Sequence, residues 1–126
     1  MATRALRGAT TLESNSEDEI RNRTIDLMNE LLKRNEIESD DVISVFFTAT
    51  SDITVIPPAR AVRDMGMEGV PLLCAQEMEA EVGPPLCVRL MMHIETEASK
   101  AEVRHVFLRG AVVLRPDLVE PGDERV

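Results

Sequence analysis

Three arginines lie inside stretches whose other residues are apolar and strand-like, namely Leu6-Arg7-Gly8, Val88-Arg89-Leu90 and Leu114-Arg115-Pro116. They constrain the fold, because an arginine that faces a dry core without a partner is too costly to bury. One interpretation is that the three side chains line a cleft for carboxylates or phosphates, since a guanidinium matches a carboxylate in a two-bond geometry. The alternative is that each arginine lies on the wet face of a half-buried strand.

Length and charge narrow the range of partners. The chain of 126 residues is long enough for one domain with a single core, and small enough to gain stability from oligomerisation. Its net charge of -9 and its pI near 4.7 argue against binding to nucleic acid or to an anionic membrane surface. An acidic protein that binds an anion must therefore gather its arginines locally.

Signals for export, membrane insertion and metal binding are weak. No apolar run approaches the roughly 20 residues that a membrane helix needs, and no signal-peptide pattern follows Met1. Cys74 and Cys87 lie in apolar, strand-like contexts and form no metal-type cluster with His93 and His105. We therefore expect a cytoplasmic protein with reduced cysteines and no bound metal.

Hydrophobic periodicity predicts alternating strands and helices. Strands are predicted at residues 3–12, 42–50, 70–73, 86–95 and 104–108. A capping box, in which the Ser16 hydroxyl accepts from the Glu19 amide and the Glu19 carboxylate reaches back, begins an amphipathic helix that runs to about Asn35. Pro58 begins a short helix that continues through Met65. The order β-α-β-α-β-β-β predicts an α+β fold, a mixed β-sheet with helices packed on one face.

The domain organisation is simple. Residues 1–115 are predicted to form a single domain, in which Cys74 begins a connection and 111–114 pack back on the core. Residues 116–126 are polar and contain proline and glycine, which is typical of a mobile C-terminal tail.

The residues available for chemistry are few. Glu77 is a candidate general acid or base, although a surface glutamate is the commoner case. Cys74 is a candidate nucleophile, but neither histidine is evidently its base, and a buried small thiol is far commoner. No glycine-rich phosphate loop follows Gly66 or Gly69. Arginines and one carboxylate suit a reaction that needs orientation and electrostatics, such as a pericyclic rearrangement of a small polycarboxylate.

Six segments occur in the order and spacing of one known family. They are Arg7-Gly8-Ala9-Thr10-Thr11, Pro58-Ala59-Arg60-Ala61-Val62-Arg63, Cys74-Ala75-Gln76-Glu77-Met78, Cys87-Val88-Arg89-Leu90-Met91-Met92, Arg104-His105-Val106 and Ala111-Val112-Val113-Leu114-Arg115-Pro116-Asp117-Leu118. With these segments the chain resembles the AroH-type bacterial chorismate mutases, from its first strand to its tail. The resemblance implies a bacillus-chorismate-mutase-like homotrimer, a pseudo-α/β barrel with active sites at the subunit interfaces. It also implies conversion of chorismate to prephenate, in phenylalanine and tyrosine biosynthesis, without metal or organic cofactor.

The resemblance further assigns roles to individual residues. Arg7 would hold the enolpyruvyl carboxylate, and Arg89 would bind a carboxylate and the ether oxygen. Glu77 and the backbone of Cys74 would take the ring hydroxyl, with Glu77 favouring the positive charge that develops on the ring. The mouth of the site would be lined by Arg60, Arg63 and Arg115. The remaining implied substrate contacts are Ala59, Leu72, Leu73, Phe107 and Leu114.

The sequence departs from the family pattern at several positions. Phe107 stands where members commonly have tyrosine, Pro57 where an aromatic residue often lies, and Arg60 where lysine is common. The loop at Met65-Gly66-Met67 is one residue shorter than in the family pattern.

Two alternative functions stay open: a trimeric enamine/imine deaminase-like enzyme, and a non-catalytic carboxylate-binding trimer. A structural protein with solvated arginines is a third.

Overall fold

The computed structural model describes all of residues 1–126, and a five-stranded sheet runs through its centre. The strands, β1 to β5 in chain order, are Ala2–Thr11, Val42–Ala49, Leu72–Gln76, Cys87–Thr96 and Val106–Phe107. Two α-helices, α1 (Glu17–Arg34) and α2 (Pro58–Val62), connect the first three strands. Short 3-10 helices lie at Ser39–Asp41, Arg109–Leu114 and Pro116–Leu118. Neither α-helix has the length and apolar composition needed to span a bilayer.

The sheet is mixed, with the strand order β3-β2-β4-β1-β5. Strand β4 is antiparallel to β1 and β2, whereas the edge strands β3 and β5 are parallel to their neighbours. The helices cover one face, where alternate strand residues such as Leu6, Phe47 and Leu90 pack with Leu27 of α1 and Val62 of α2. The predicted fold class, an α+β fold with a mixed sheet and helices on one face, is confirmed.

The long helix begins at the predicted cap. The Ser16 hydroxyl accepts a hydrogen bond from the Glu19 amide at 3.3 Å, and Glu17, Asp18 and Glu19 place negative charge at the positive end of the helix dipole. The other half of the predicted capping box is wrong. The Glu19 carboxylate accepts from the Glu13 amide at 2.7 Å, so it fixes the turn between β1 and α1 instead of returning to Ser16.

The third strand begins and ends later than predicted. Its parallel pairing with β2 runs from Leu72 opposite Val45 to Gln76 opposite Ala49, so Cys74 lies within a strand and not in a connection. Periodicity misses this register because β3 is an edge strand, on which exposed polar residues such as Gln76 are tolerated.

The fifth strand is shorter than the predicted 104–108. The Asn35 side chain bonds both backbone groups of Arg104, donating to its carbonyl at 2.9 Å and accepting from its amide at 2.8 Å. The ring of His105 accepts from the Arg7 amide at 2.9 Å. Side chains therefore form hydrogen bonds with backbone groups that would have paired between strands if β5 were longer.

The helix predicted from Pro58 through Met65 changes form along its length. Its α-helical part ends at Val62 and continues as one wider, π-helical turn at Arg63–Met67. Gly66 has a φ of 108°, which side-chain-bearing residues rarely adopt, and it breaks the helix there.

The C-terminal segment, residues 116–126, lies against α1. Asp123 is completely buried, where its carboxylate accepts from Arg34 Nη2 at 2.7 Å and its carbonyl accepts from the Arg109 amide at 2.7 Å. Arg125 Nη1 lies 3.2 Å from the Glu30 carboxylate. These contacts join the segment to the domain, and its mobility in solution stays a prediction.

The sheet face opposite the helices is open and partly apolar. Leu73, Phe46 and Met91 lie side by side on β3, β2 and β4, and they are 57%, 49% and 39% exposed. Three large apolar side chains in one cross-strand row form a contiguous patch of the kind that marks an interaction surface.

Candidate active site

An arginine and a glutamate meet on the open face of the sheet. Arg89 lies on β4, and Glu77 follows the last residue of β3, where its amide donates to the Ala49 carbonyl at 2.8 Å. Arg89 Nη1 lies 3.9 Å from Glu77 Oε1, and each side chain is 26% exposed. The Nε of Arg89 is buried without a hydrogen-bond partner. An unpartnered charged donor inside a protein is costly, so this atom is a strong candidate for binding a ligand.

A loop rich in proline and glycine covers this pair. Together with residues 77–80 and 82–85 and with Thr50 and Ser51, Arg89 lines a polar cleft of about 440 Å³. Gly83 in the loop has a φ of 105°, and a Cβ at that position would lie 3.4 Å from Arg89 Nη2. That distance is an ordinary van der Waals contact, so the positive φ, and not the approach to Arg89, is what favours glycine here.

Arg7 lies on the same open face, on the neighbouring strand β1. Because Arg7 pairs with Met91 and Ala9 pairs with Arg89, the two arginines are diagonal neighbours across the β1–β4 ladder. The backbone amide of Arg7 donates to the His105 ring, whereas its guanidinium has no carboxylate within 4.0 Å. The structure thus brings together Arg7, Glu77 and Arg89, the three residues for which catalytic roles are predicted.

Arg115 and its neighbours lie near the β1–β5 edge. Arg115 follows a 3-10 helix, so the strand-like interpretation of Leu114-Arg115-Pro116 is wrong, and its guanidinium pairs with Asp117 through hydrogen bonds of 3.1 and 2.9 Å. Phe107 is buried in a small cluster with Ala9, Cys87 and Ala111, against which Leu114 packs. Their roles as substrate contacts stay predictions.

Arg60 and Arg63 lie elsewhere, on the helix side of the opposite edge of the sheet. With Ala59 and Leu72 they line a second cleft of about 490 Å³. Neither guanidinium has a carboxylate within 4.0 Å; the nearby Asp64 is paired with Arg21 at 2.8 Å, and that hydrogen bond is the main reason its pKa is lowered.

Cys74 lines a third cleft of about 260 Å³ with Pro57. Burial raises the pKa of the Cys74 thiol, against a smaller opposing effect of a hydrogen bond from the Ala59 backbone. A raised pKa disfavours the thiolate, so the geometry does not support Cys74 as a nucleophile.

The predicted substrate contacts therefore form two groups. Arg7 and Arg63 are carried by β1 and by the helix beside β3, which are separated by three strand spacings, roughly 14 Å. The two arginines also lie on opposite sides of the sheet. Within one chain the sheet therefore separates the two groups.

Comparison with known proteins identifies the family. The family model described as "Chorismate mutase type I" matches residues 3–118. The chain belongs to this family. Among its relatives, Chorismate mutase AroH of Bacillus subtilis (strain 168) is 40% identical over 119 residues, 94% of each chain. Chorismate mutase AroH of Thermus thermophilus is 40% identical over 116 residues, 91% of this chain and 95% of that one.

A solved structure supports the same assignment. The chorismate mutase from Clostridium thermocellum matches with a TM-score of 0.85 and 41% identity, covering 87% of this chain and 98% of that one. The predicted family and the predicted class of enzyme, an isomerase, are confirmed by these matches.

Two residues that contact the predicted catalytic residues were not predicted from sequence. Thr48 on β2 donates its hydroxyl hydrogen to Glu77 Oε2, and His105 binds the Arg7 amide. A single threonine in a strand rich in β-branched residues does not indicate a functional role in the sequence, because its hydrogen-bond partner depends on the cross-strand register. No three His, Cys, Asp or Glu side chains are arranged to hold a metal ion.

Proposed function

We propose that this protein converts chorismate to prephenate in a site centred on Arg89 and Glu77. The observation that carries the proposal is the buried, unpartnered Nε of Arg89, which lies beside a carboxylate. In the rearrangement, the carbon–oxygen bond of the enol ether breaks as a carbon–carbon bond forms. Negative charge grows on the ether oxygen and positive charge on the ring, so a donor and a carboxylate on either side stabilise the polarised transition state.

The remaining arginines act on the carboxylates of the substrate. Arg7 holds the enolpyruvyl carboxylate, and Arg60, Arg63 and Arg115 neutralise the outer one. Fixing both ends keeps the flexible substrate in the compact, chair-like conformer from which the new bond forms. No proton passes between protein and substrate, which agrees with a site that lacks an activated cysteine.

Electrostatic stabilisation is large enough for this task. One preorganised donor at a developing oxyanion is worth about 2.7 to 4 kcal/mol. Two or three such donors approach the roughly 8 kcal/mol that a million-fold acceleration requires. The site therefore needs neither a metal nor an organic cofactor.

We infer further that the protein works as a homotrimer with sites at the subunit interfaces. Two features support this assembly: the separation of Arg7 from Arg63, and the exposed row of Leu73, Phe46 and Met91 on the open face. A second copy that covers this row brings the Arg60–Arg63 cleft of one chain to the Arg7 face of another. Both cysteines are free thiols, which agrees with a cytoplasmic location.

The test is chorismate turnover by protein treated with a chelator. Loss of the ultraviolet absorbance of chorismate is expected, with prephenate confirmed after acid conversion to phenylpyruvate. Arg89→Ala should abolish the loss, whereas Arg104→Ala, a control at an exposed arginine paired with Glu120, should not. A folded, trimeric parent that leaves chorismate unchanged would contradict the proposal and favour a binding protein or an imine-hydrolysing enzyme.

A further inference from the structure

Resting on the proposed function, we propose that Thr48 is a positioning residue for the rearrangement, whose hydroxyl holds the Glu77 carboxylate in place and keeps it from closing onto Arg89. Thr48 lies on β2 between Ala75 of β3 and Arg89 of β4 in the same cross-strand row. Its hydroxyl donates to Glu77 Oε2. Nothing in the family resemblance assigns it a role.

The hydroxyl of Thr48 is the only hydrogen-bond donor to the Glu77 carboxylate within the chain. The other neighbour, Arg89 Nη1, lies 3.9 Å from Oε1, which is beyond hydrogen-bonding distance. Glu77 itself stands just past the end of β3, where only its amide is held by the sheet. The orientation of its carboxylate therefore depends on Thr48, whose β-branched side chain has a restricted χ1 on a strand.

The competing arrangement is a closed ion pair. Carboxylate and guanidinium form two parallel hydrogen bonds of about 2.7 to 2.9 Å when nothing prevents it. That arrangement would occupy the donors of Arg89, including the Nε that has no partner. It would also move the carboxylate away from the developing positive charge. By holding Oε2, Thr48 keeps the two charges close but separate, and both remain available to the substrate.

Two near-isosteric variants separate this role from simple packing. Thr48→Val keeps the shape and loses the hydroxyl, whereas Thr48→Ser keeps the hydroxyl and loses a methyl group. We expect kcat to fall about ten- to a hundredfold in Thr48→Val, the size of effect that follows loss of a hydrogen bond to a charged group. Thr48→Ser should retain most of that activity. A packing role would give the opposite order, and that result would overturn the proposal.

A double variant tests whether Thr48 acts through Glu77. In a Glu77→Ala background, replacing Thr48 by Val should change kcat by less than about twofold, because no carboxylate remains to be positioned. An undiminished effect in that background would show that Thr48 acts on something else and would refute the proposal.

A readout without turnover keeps this test independent of the proposed function. In the ¹H–¹⁵N NMR spectrum of the free protein, the Arg89 Nε–H resonance should move downfield and exchange more slowly in Thr48→Val, because Glu77 then closes onto it. The resonance should stay near its parental position in Thr48→Ser. An unchanged resonance in Thr48→Val would overturn the positioning role, whether or not the parent consumes chorismate.

Discussion

Subunit exchange gives a quantitative test of where the two groups of substrate contacts come from. Arg7 lies on the open face near one edge of the sheet, and Arg60 and Arg63 lie on the helix side of the other edge. If one substrate contacts both groups, each site must combine two chains. An Arg7→Ala variant and an Arg60→Ala/Arg63→Ala double variant should then be defective separately and active when mixed.

The size of each defect follows from the hydrogen bonds to the substrate that each variant removes. One hydrogen bond between charged groups is worth about 1.5 to 3 kcal/mol, so kcat/KM should fall about ten- to a hundredfold for Arg7→Ala and further for the double variant. Refolding a one-to-one mixture distributes the chains at random. A site is intact only when its Arg7 comes from a double-variant chain and its Arg60–Arg63 pair from an Arg7→Ala chain. About one quarter of the sites in a cyclic trimer meet both conditions.

The assay is the rate of chorismate loss before and after the mixture is refolded, at a substrate concentration well below KM. Recovery to about one quarter of the parental rate is expected, from starting rates of about a tenth of it or lower. The matched control mixes Arg7→Ala with Arg89→Ala. Both residues lie on the open face of a single chain, so no intact site forms and no recovery is expected. Recovery in the control, or its absence in the first mixture, would refute the division of the site into these two groups.

Three further predictions concern charge. Arg89→Lys keeps the positive charge but loses the forked pair of guanidinium donors. In steady-state assays kcat should therefore fall about a hundredfold or more, with an unchanged melting temperature. Turnover at the parental rate would contradict the role of the guanidinium. Burial and, to a smaller extent, two neighbouring arginines lower the pKa of His105 in the folded protein. Just below the ordinary pKa of histidine, the unfolded chain therefore binds a proton at His105 that the folded chain does not bind. Denaturant unfolding should therefore show stability falling as the pH drops below about 6.5, and His105→Asn should remove that part of the loss. Asp123→Asn should lower the free energy of unfolding by about 1.5 to 3 kcal/mol in urea titrations, because it removes one hydrogen bond between charged groups while Arg34 stays paired with other carboxylates. The control Asp117→Asn, at an exposed ion pair, should change the free energy of unfolding little.

Much of the fold is predictable because it depends on local signals. The cap at Ser16, the apolar stripe of the helix behind it and the β-branched run from Val42 each encode their own structure. The errors fall where a partner decides the outcome. Gln76 is in a strand because β2 pairs with it, and Arg104 is outside one because Asn35 takes its backbone groups.

The site is less predictable from the residues themselves, because its parts meet only through the sheet. Glu77 and Arg89 are adjacent because β3 and β4 flank β2 and so bring them beside Thr48. The family resemblance supplies the roles of both charged residues, but it does not indicate the hydroxyl between them. Nor does sequence spacing reveal that Arg7 and Arg63 lie on opposite sides of the sheet.

Ion pairing divides the arginines into those that have a carboxylate neighbour and those that do not. In a chain with 23 acidic and 14 basic residues, most arginines find a carboxylate within 4.0 Å, as Arg34 and Arg109 do. Arg7, Arg60 and Arg63 do not, although the excess of acidic side chains favours such pairs; Arg4 is also without a carboxylate but donates to the Ala98 carbonyl. A dianionic substrate is repelled by the overall field of a protein with a net charge of -9. Because these arginines are unpaired, they keep a local positive potential that attracts the substrate against that field. In the proposed assembly, Arg7 and the Arg60–Arg63 pair would supply this attraction from two different chains.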